Sequence, residues 1–287
     1  MKTIRFLWDS EYLDSECTIE YDEETNVDNL PWTYGTNFAI MVTGLVAFIM
    51  LVYFPRSGRD KGIIWLPIPL YFLFGGIGFG ISGIKHVIVD TKTNPANYPT
   101  TVVSYLFLCA GNILLLIVGL AMVGVTCRSD GLWRKILWWI IVLPISGLSV
   151  YASFQNIMFG GVVIIATSLF VTVVYCVRVC MDRETRWINL AKAFGVSVYI
   201  SGMFVQLLLS GRCGGPAYKD CFEECPLPEG FNHNTVFHIL ICVAYMLWSA
   251  AEAIGPSVEV RDGGKCSCIS VQAVPEDVLD EAEKGGE

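Results

Sequence analysis

Residues 102–126 read VVSYLFLCAGNILLLIVGLAMVGVT, twenty-five positions without one charged side chain. At 1.5 Å per residue, a run of this length crosses roughly 30 Å of hydrocarbon as an α-helix. Lipid offers no hydrogen bonds, so the backbone must satisfy its own N–H and C=O groups, which a helix does within one segment. Six further stretches of the same kind lie at 36–54, 64–88, 136–154, 157–177, 191–210 and 234–254. The whole chain of 287 residues is 54% hydrophobic and only 16% charged, against roughly 25% charge in a soluble domain. The expected fold class is all-α, a seven-transmembrane helix bundle over 36–254. An acidic tail at 1–35 precedes it. A tail at 255–287, rich in Glu, Asp, Gly and Val, follows it and reads as disordered.

Orientation follows from lysine and arginine in the short loops. The loop after the first span holds Arg56, Arg59 and Lys61; the loop after the third holds Arg128, Arg134 and Lys135. Arg178, Arg183, Arg186 and Lys192 follow the fifth span. All lie on one side, which is expected to be cytoplasmic, and only Lys92, Arg212 and Lys219 stand out on the other. The N-terminus, with nine acids from Asp9 to Asp28, is then outside or lumenal, and the C-terminus is cytoplasmic. Residues 1–35 contain no apolar core run, so the first span is expected to direct insertion itself. The formal charge of −8 comes mostly from the tails, and no basic stripe suggests nucleic acid.

Of eleven cysteines, Cys17, Cys213, Cys221 and Cys225 fall on the expected outer side. In an oxidising compartment these four thiols can form two disulfides in three pairings. Cys109, Cys127, Cys176, Cys180 and Cys242 read as small apolar residues in or near the spans. Cys266 and Cys268 suit either palmitoylation or plain thiols just inside the membrane. Trp65, Trp138, Trp139, Trp187 and Trp248 sit near span ends and are expected to anchor in the interfaces. Gly75, Gly76, Gly78, Gly80 and Gly83 crowd the second span and are expected to let helices approach closely.

The chain has three histidines, and the spans place all of them at one membrane face. His86 ends the second span, while His233 and His238 open the seventh. Imidazole is a common zinc ligand, and ionisable groups at membrane depth usually serve function. Ser82 and His86, four apart, share a helix face, as do Asn234 and His238. His233 and His238 are five apart and cannot point the same way from regular helix. His233 joins the others only if it sits at the cap, where neighbouring Asn residues are favoured. Gln206, in the sixth span, belongs to the same outer half.

Ser82-x3-His86 on the second span and the histidine-bearing segment Asn234-Thr235-Val236-Phe237-His238-Ile239-Leu240 at the seventh resemble the seven-helix hydrolase superfamily. That group holds the alkaline ceramidases, progestin/adipoQ receptors, Per1-type lipid remodelling proteins and myomaker-like proteins. The resemblance covers the bundle in topology and about fifteen residues in motif. It implies Zn held by His86, His238 and His233, with Asn234 standing at a position where the family has a ligand. It also implies Ser82 as a catalytic hydroxyl and a lipid-tailed substrate cut at an amide or ester bond. A zinc-bound water near neutral pKa would attack, and a carboxylate would take its proton. The third span has no Asp or Glu, only Asn112, so Asp90 in the following loop is the acid nearest to the proposed site.

Two functions are therefore expected to compete. One is a zinc hydrolase or a divergent, catalytically silent relative of one. The other is a non-enzymatic receptor, adaptor or fusion-type membrane protein without a cofactor. Membrane lipid is the expected partner in either case, in the plasma membrane or the ER and Golgi. A rhodopsin-type receptor is disfavoured, because Cys127-Arg128-Ser129-Asp130 replaces the acid-Arg-Tyr signature and the seventh span lacks Asn-Pro-x-x-Tyr. No repeat suggests a transporter. Glu252, near the inner end of the seventh span, is expected to pair with a loop arginine such as Arg128 or Arg178, or to lie in the interface.

Overall fold

The computed structural model describes residues 31–53, 66–89, 94–127, 131–155, 157–181, 183, 185–213, 227 and 233–255. These form seven helices: α1 (Pro31–Tyr53), α2 (Pro67–Ile88), α3 (Asn97–Met122), α4 (Leu132–Gln155), α5 (Ile157–Met181), α6 (Arg186–Cys213) and α7 (His233–Ile254). Each is long and apolar enough to cross a membrane, and no strand occurs among the described residues. The chain is thus an all-helical, multi-pass membrane protein. Several helices overrun their apolar spans. Hydropathy marks only the hydrocarbon, whereas the helix continues through the headgroup layer on residues such as Asn97, Arg186 and Trp187. Pro31 and Pro67 begin α1 and α2, where a fixed φ fits and the missing N–H costs no bond. Pro144 lies inside α4, which stays one helix.

α1, α2 and α3 pack in sequence, α6 lies along α7, and α7 closes back onto α1. α5 joins α6 to α3, and α4 leans on α3 and α5 at the rim. α4 is only 22% buried over its apolar window, against 50% for α2 and α3, so α2 and α3 are central and α4 faces lipid. Leu137, Ile140, Leu143 and Tyr151 of α4 are accordingly exposed. One large core draws on Ile40, Phe72, Leu115, Tyr175, Val196 and Trp248 from six helices. A smaller one seats Val142 of α4 against Leu116 and Leu120.

Lipid tails are as apolar as leucine, so helices associate through close packing and polar contacts rather than by escaping water. The glycines of α2 serve the first purpose. A Cβ on Gly44 of α1 would meet the Phe72 carbonyl oxygen at 2.5 Å and Gly76 Cα at 3.0 Å. The two backbones thus cross in direct contact, as the glycine-rich second span suggests. At the end of α3, Gly124 adopts φ +80°. It lets Val125 N–H bond Leu120 O at 2.9 Å and Gly124 N–H bond Ala121 O at 3.0 Å, which closes the helix with its last carbonyls satisfied. Arg178 of α5 donates to Met122 O at 3.1 Å. Its charge thus helps cap α3, while Arg128 lies outside the described residues.

Trp139 and Trp187 are exposed, as interfacial anchors should be, but Trp248 is 1% exposed in the centre of the core. Proximity to a span end does not reveal which face a residue takes, and Trp248 lies on the inward face of α7. Cys109, Cys127, Cys176, Cys180 and Cys242 are free thiols. Cys17, Cys221 and Cys225 lie outside the described residues, and of Cys213 only the backbone is described.

Candidate functional site

α7 buries one continuous face. His238, Ile241, Tyr245, Trp248 and Glu252 recur at alternating steps of three and four, and none is more than 5% exposed. Such spacing lines one side of a helix. Four of the five carry polar atoms, so a polar track runs the length of the bundle from His238 to Glu252. In a membrane each of these groups needs a protein partner, and the neighbouring helices supply them.

At the histidine end, α1 and α2 meet α7. Thr36 Oγ1 of α1 and His238 Nδ1 share a hydrogen bond of 3.1 Å. The same hydroxyl lies 2.7 Å from Trp32 O. Phe79 of α2 packs edge-on against His238 and Phe237, with ring centroids 5.6 Å and 6.0 Å apart. Side chains of helices two and seven therefore meet here. Gln206 of α6 donates to Asn234 Oδ1. Thr33, Asn37, His233, Thr235 and His238 are buried, whereas Ser82, His86 and Asn234 are half-buried. Asp90 lies outside the described residues.

Along the helix axes His238 lies deeper than the other two histidines, which stand at similar levels. His86 is seven residues beyond Phe79, about 10 Å along the axis, and His233 is about 7 Å from His238 along α7. Among the described residues, which include all three histidines, no three His, Cys, Asp or Glu side chains come together as a group able to hold a metal. His238 Nδ1 is engaged by Thr36, and Asn234 faces Gln206 instead of a shared centre. Among the described residues the three histidines are thus not gathered as a metal-holding group. What this end shows is a hydrogen bond from α1 to α7 at His238 and another from α6 to α7 at Asn234, with Phe79 of α2 packed on the His238 ring. Thr36→Val keeps the shape of the threonine and deletes the bond to His238. Interhelical bonds in membranes contribute about 0.6 kcal/mol on average and up to about 1.7. A loss of about 1 kcal/mol in unfolding from detergent is expected, and no change would show that the bond does not hold α1 to α7.

At the other end of the track, Glu252 receives three donors. Tyr175 Oη of α5 lies 2.7 Å from Oε1, Trp248 Nε1 3.2 Å from Oε1, and Lys192 Nζ of α6 2.8 Å from Oε2. The Lys192 side chain is 1% exposed and that of Glu252 6%. Lys192 thus belongs to the helix interior, not to the cytoplasmic loop charges, and it takes the place expected of a loop arginine. Between the two ends, the hydroxyls of Tyr71, Tyr199 and Tyr245 are linked, with Tyr71 bonded to both others. Trp248 packs at a tilt against Tyr71 and edge-on against Phe72, with centroids 5.0 Å and 5.1 Å apart. Sequence reasoning missed Lys192, Tyr175 and the tyrosine triad. The alternating spacing of 238, 241, 245, 248 and 252 was the available signal.

No family model matches this chain, and neither a curated protein nor a solved structure matches it closely enough to count as a relative.

Proposed function

We propose that the protein is a divergent relative of the ceramidase and progestin/adipoQ-receptor superfamily that binds the polar head of a lipid-tailed ligand at its histidine end without cleaving it. The observation that carries this reading is a pair of buried acceptors. Asn37 Oδ1 and Gln206 Oε1 accept no protein hydrogen bond, although Asn37 is 0% exposed and its amide donates to Thr33 O at 3.0 Å. Buried polar atoms are nearly always satisfied, so a ligand hydroxyl, amide N–H or ammonium is the natural complement. A lipid tail suits a site set among helices whose outer faces, such as Val42, Val46 and Ile49 of α1, are apolar and exposed.

Binding is preferred to cleavage because no metal-holding group of His, Cys, Asp or Glu occurs among the described residues, while Asp90, the acid the sequence offers, lies outside them. The lysine and arginine pattern puts the histidine end outside or in the lumen, in the plasma membrane or an endomembrane. The test uses full-length protein in nanodiscs with a fluorescent N-acyl amino alcohol. Saturable binding is expected, weakened roughly three- to tenfold by Asn37→Leu, which deletes one hydrogen bond. No fatty acid should be released. Fatty-acid release that needs zinc, His86 and His238 would instead establish the hydrolase, and absence of saturable binding would remove the lipid-ligand reading.

A further inference from the structure

We infer that Lys192, Glu252 and Tyr175 form a releasable latch that holds α5, α6 and α7 together at the end opposite the histidines. Opening it would separate α7 from α5. The inference stands whether or not the histidine end binds a lipid.

Three observations carry it. First, one carboxylate joins three helices: Tyr175 of α5 and Lys192 of α6 both bond to Glu252 of α7. The α5 and α7 backbones have few close approaches, so side chains link them, Tyr175 foremost through Glu252 and beside Trp248. Second, the pair has no room to dissolve in place. Next to Lys192, a Cβ on Gly195 would lie 3.0 Å from the Trp248 backbone nitrogen, and one on Gly255 would lie 2.5 Å from Ile188 Cγ2. α6 and α7 thus touch closely on both sides of the ion pair. Lysine normally snorkels its ammonium to water, but here it stays inside with Tyr175 below it, the ring centroid 5.8 Å from Nζ.

Third, a buried ion pair is a poor way to gain stability, since well-packed apolar residues do as well or better. What the pair supplies is a two-state character. While α6 and α7 touch, both charges are matched. Once they part, water enters and solvates both. A partly opened arrangement with either charge buried alone is strongly disfavoured, so the end is either shut or open. Through Trp248, Tyr71 and Tyr245 the latch also connects rigidly to the middle of α7, and His238 lies on the same face.

The experiment measures distance between spin labels at Cys180 on α5 and at Ile254→Cys on α7, both exposed, in full-length protein in nanodiscs with its other accessible thiols replaced. One short distance is expected for the parent, with at most about a tenth of molecules in a longer one. Glu252→Gln should shift the shut-to-open ratio by roughly a hundredfold, which turns an open fraction of about a hundredth into about half and one of about a tenth into the dominant form. Should Glu252→Gln not fold, Tyr175→Phe provides the second reading, because it keeps both charges and removes only the hydrogen bond from α5. It should enlarge the longer population several-fold. A folded Glu252→Gln protein with the parent's distance, or a Tyr175→Phe protein with the parent's distribution, would overturn the latch.

Discussion

Replacing Glu252 with Ala is expected to cost about 3–5 kcal/mol, the usual consequence of stranding one member of a buried ion pair. Lys192 would be left 1% exposed with its partner gone, and Tyr175 and Trp248 would lose their acceptor as well. Lys192→Ala should cost a similar amount, because the carboxylate would keep two neutral donors but no counter-charge. The double variant Lys192→Met with Glu252→Leu should recover part of the loss: no charge is left stranded, but Tyr175 and Trp248 stay without the acceptor that Glu252 gave them. Denaturant-induced unfolding of detergent-solubilised protein measures all three. Single variants that each lose less than about 1 kcal/mol would mean that the two charges reach water or headgroups, contrary to their burial.

Gly75→Ala is expected to be the next most damaging change. A Cβ there would lie 2.0 Å from Tyr245 Oη and 3.1 Å from its Cζ. Tyr245 cannot swing aside. It is 1% exposed, packed edge-on against Phe72 at 5.1 Å and stacked near Tyr199 at 6.5 Å, and hydrogen-bonded to Tyr71. Overpacking of this kind costs about 1–3 kcal/mol, and the upper end applies where the obstructing atom is held by a network. Tyr245→Phe removes the colliding oxygen. In that background Gly75→Ala should cost less than about 1 kcal/mol, a non-additive result expected of residues in contact. Additive losses would place the ring elsewhere.

These two sites show what the sequence made legible and what it did not. The seven spans were readable because each is a long uncharged run, and a membrane allows such a run little choice but a helix. The outer depth of His86 and of the start of α7 was readable from the ends of the two spans. The deeper level of His238 was not, because the depth of a side chain depends on where α2 and α7 cross. That point is set by packing at Phe79, which carries no signature in a sequence. Lys192 looked like a loop charge since it lies near the start of a span. Only its partner, sixty residues away, makes burial tolerable, and pairing at that separation is invisible to local patterns. Trp248 failed for a related reason: tryptophan favours interfaces on average, but Glu252, one turn further along α7, gives its N–H an acceptor in the core. Gln206 was placed correctly by depth alone, and its partner Asn234 follows from that placement.

The account rests on the histidine end being held by hydrogen bonds between protein side chains, with His238 committed to Thr36. Metal analysis of full-length protein, purified in detergent without chelators and with zinc present during growth, addresses this most directly. The expected result is substoichiometric zinc that does not change in His238→Ala or His86→Ala. One zinc per chain, lost in both variants, would contradict the account and restore the three-histidine centre that the sequence suggests.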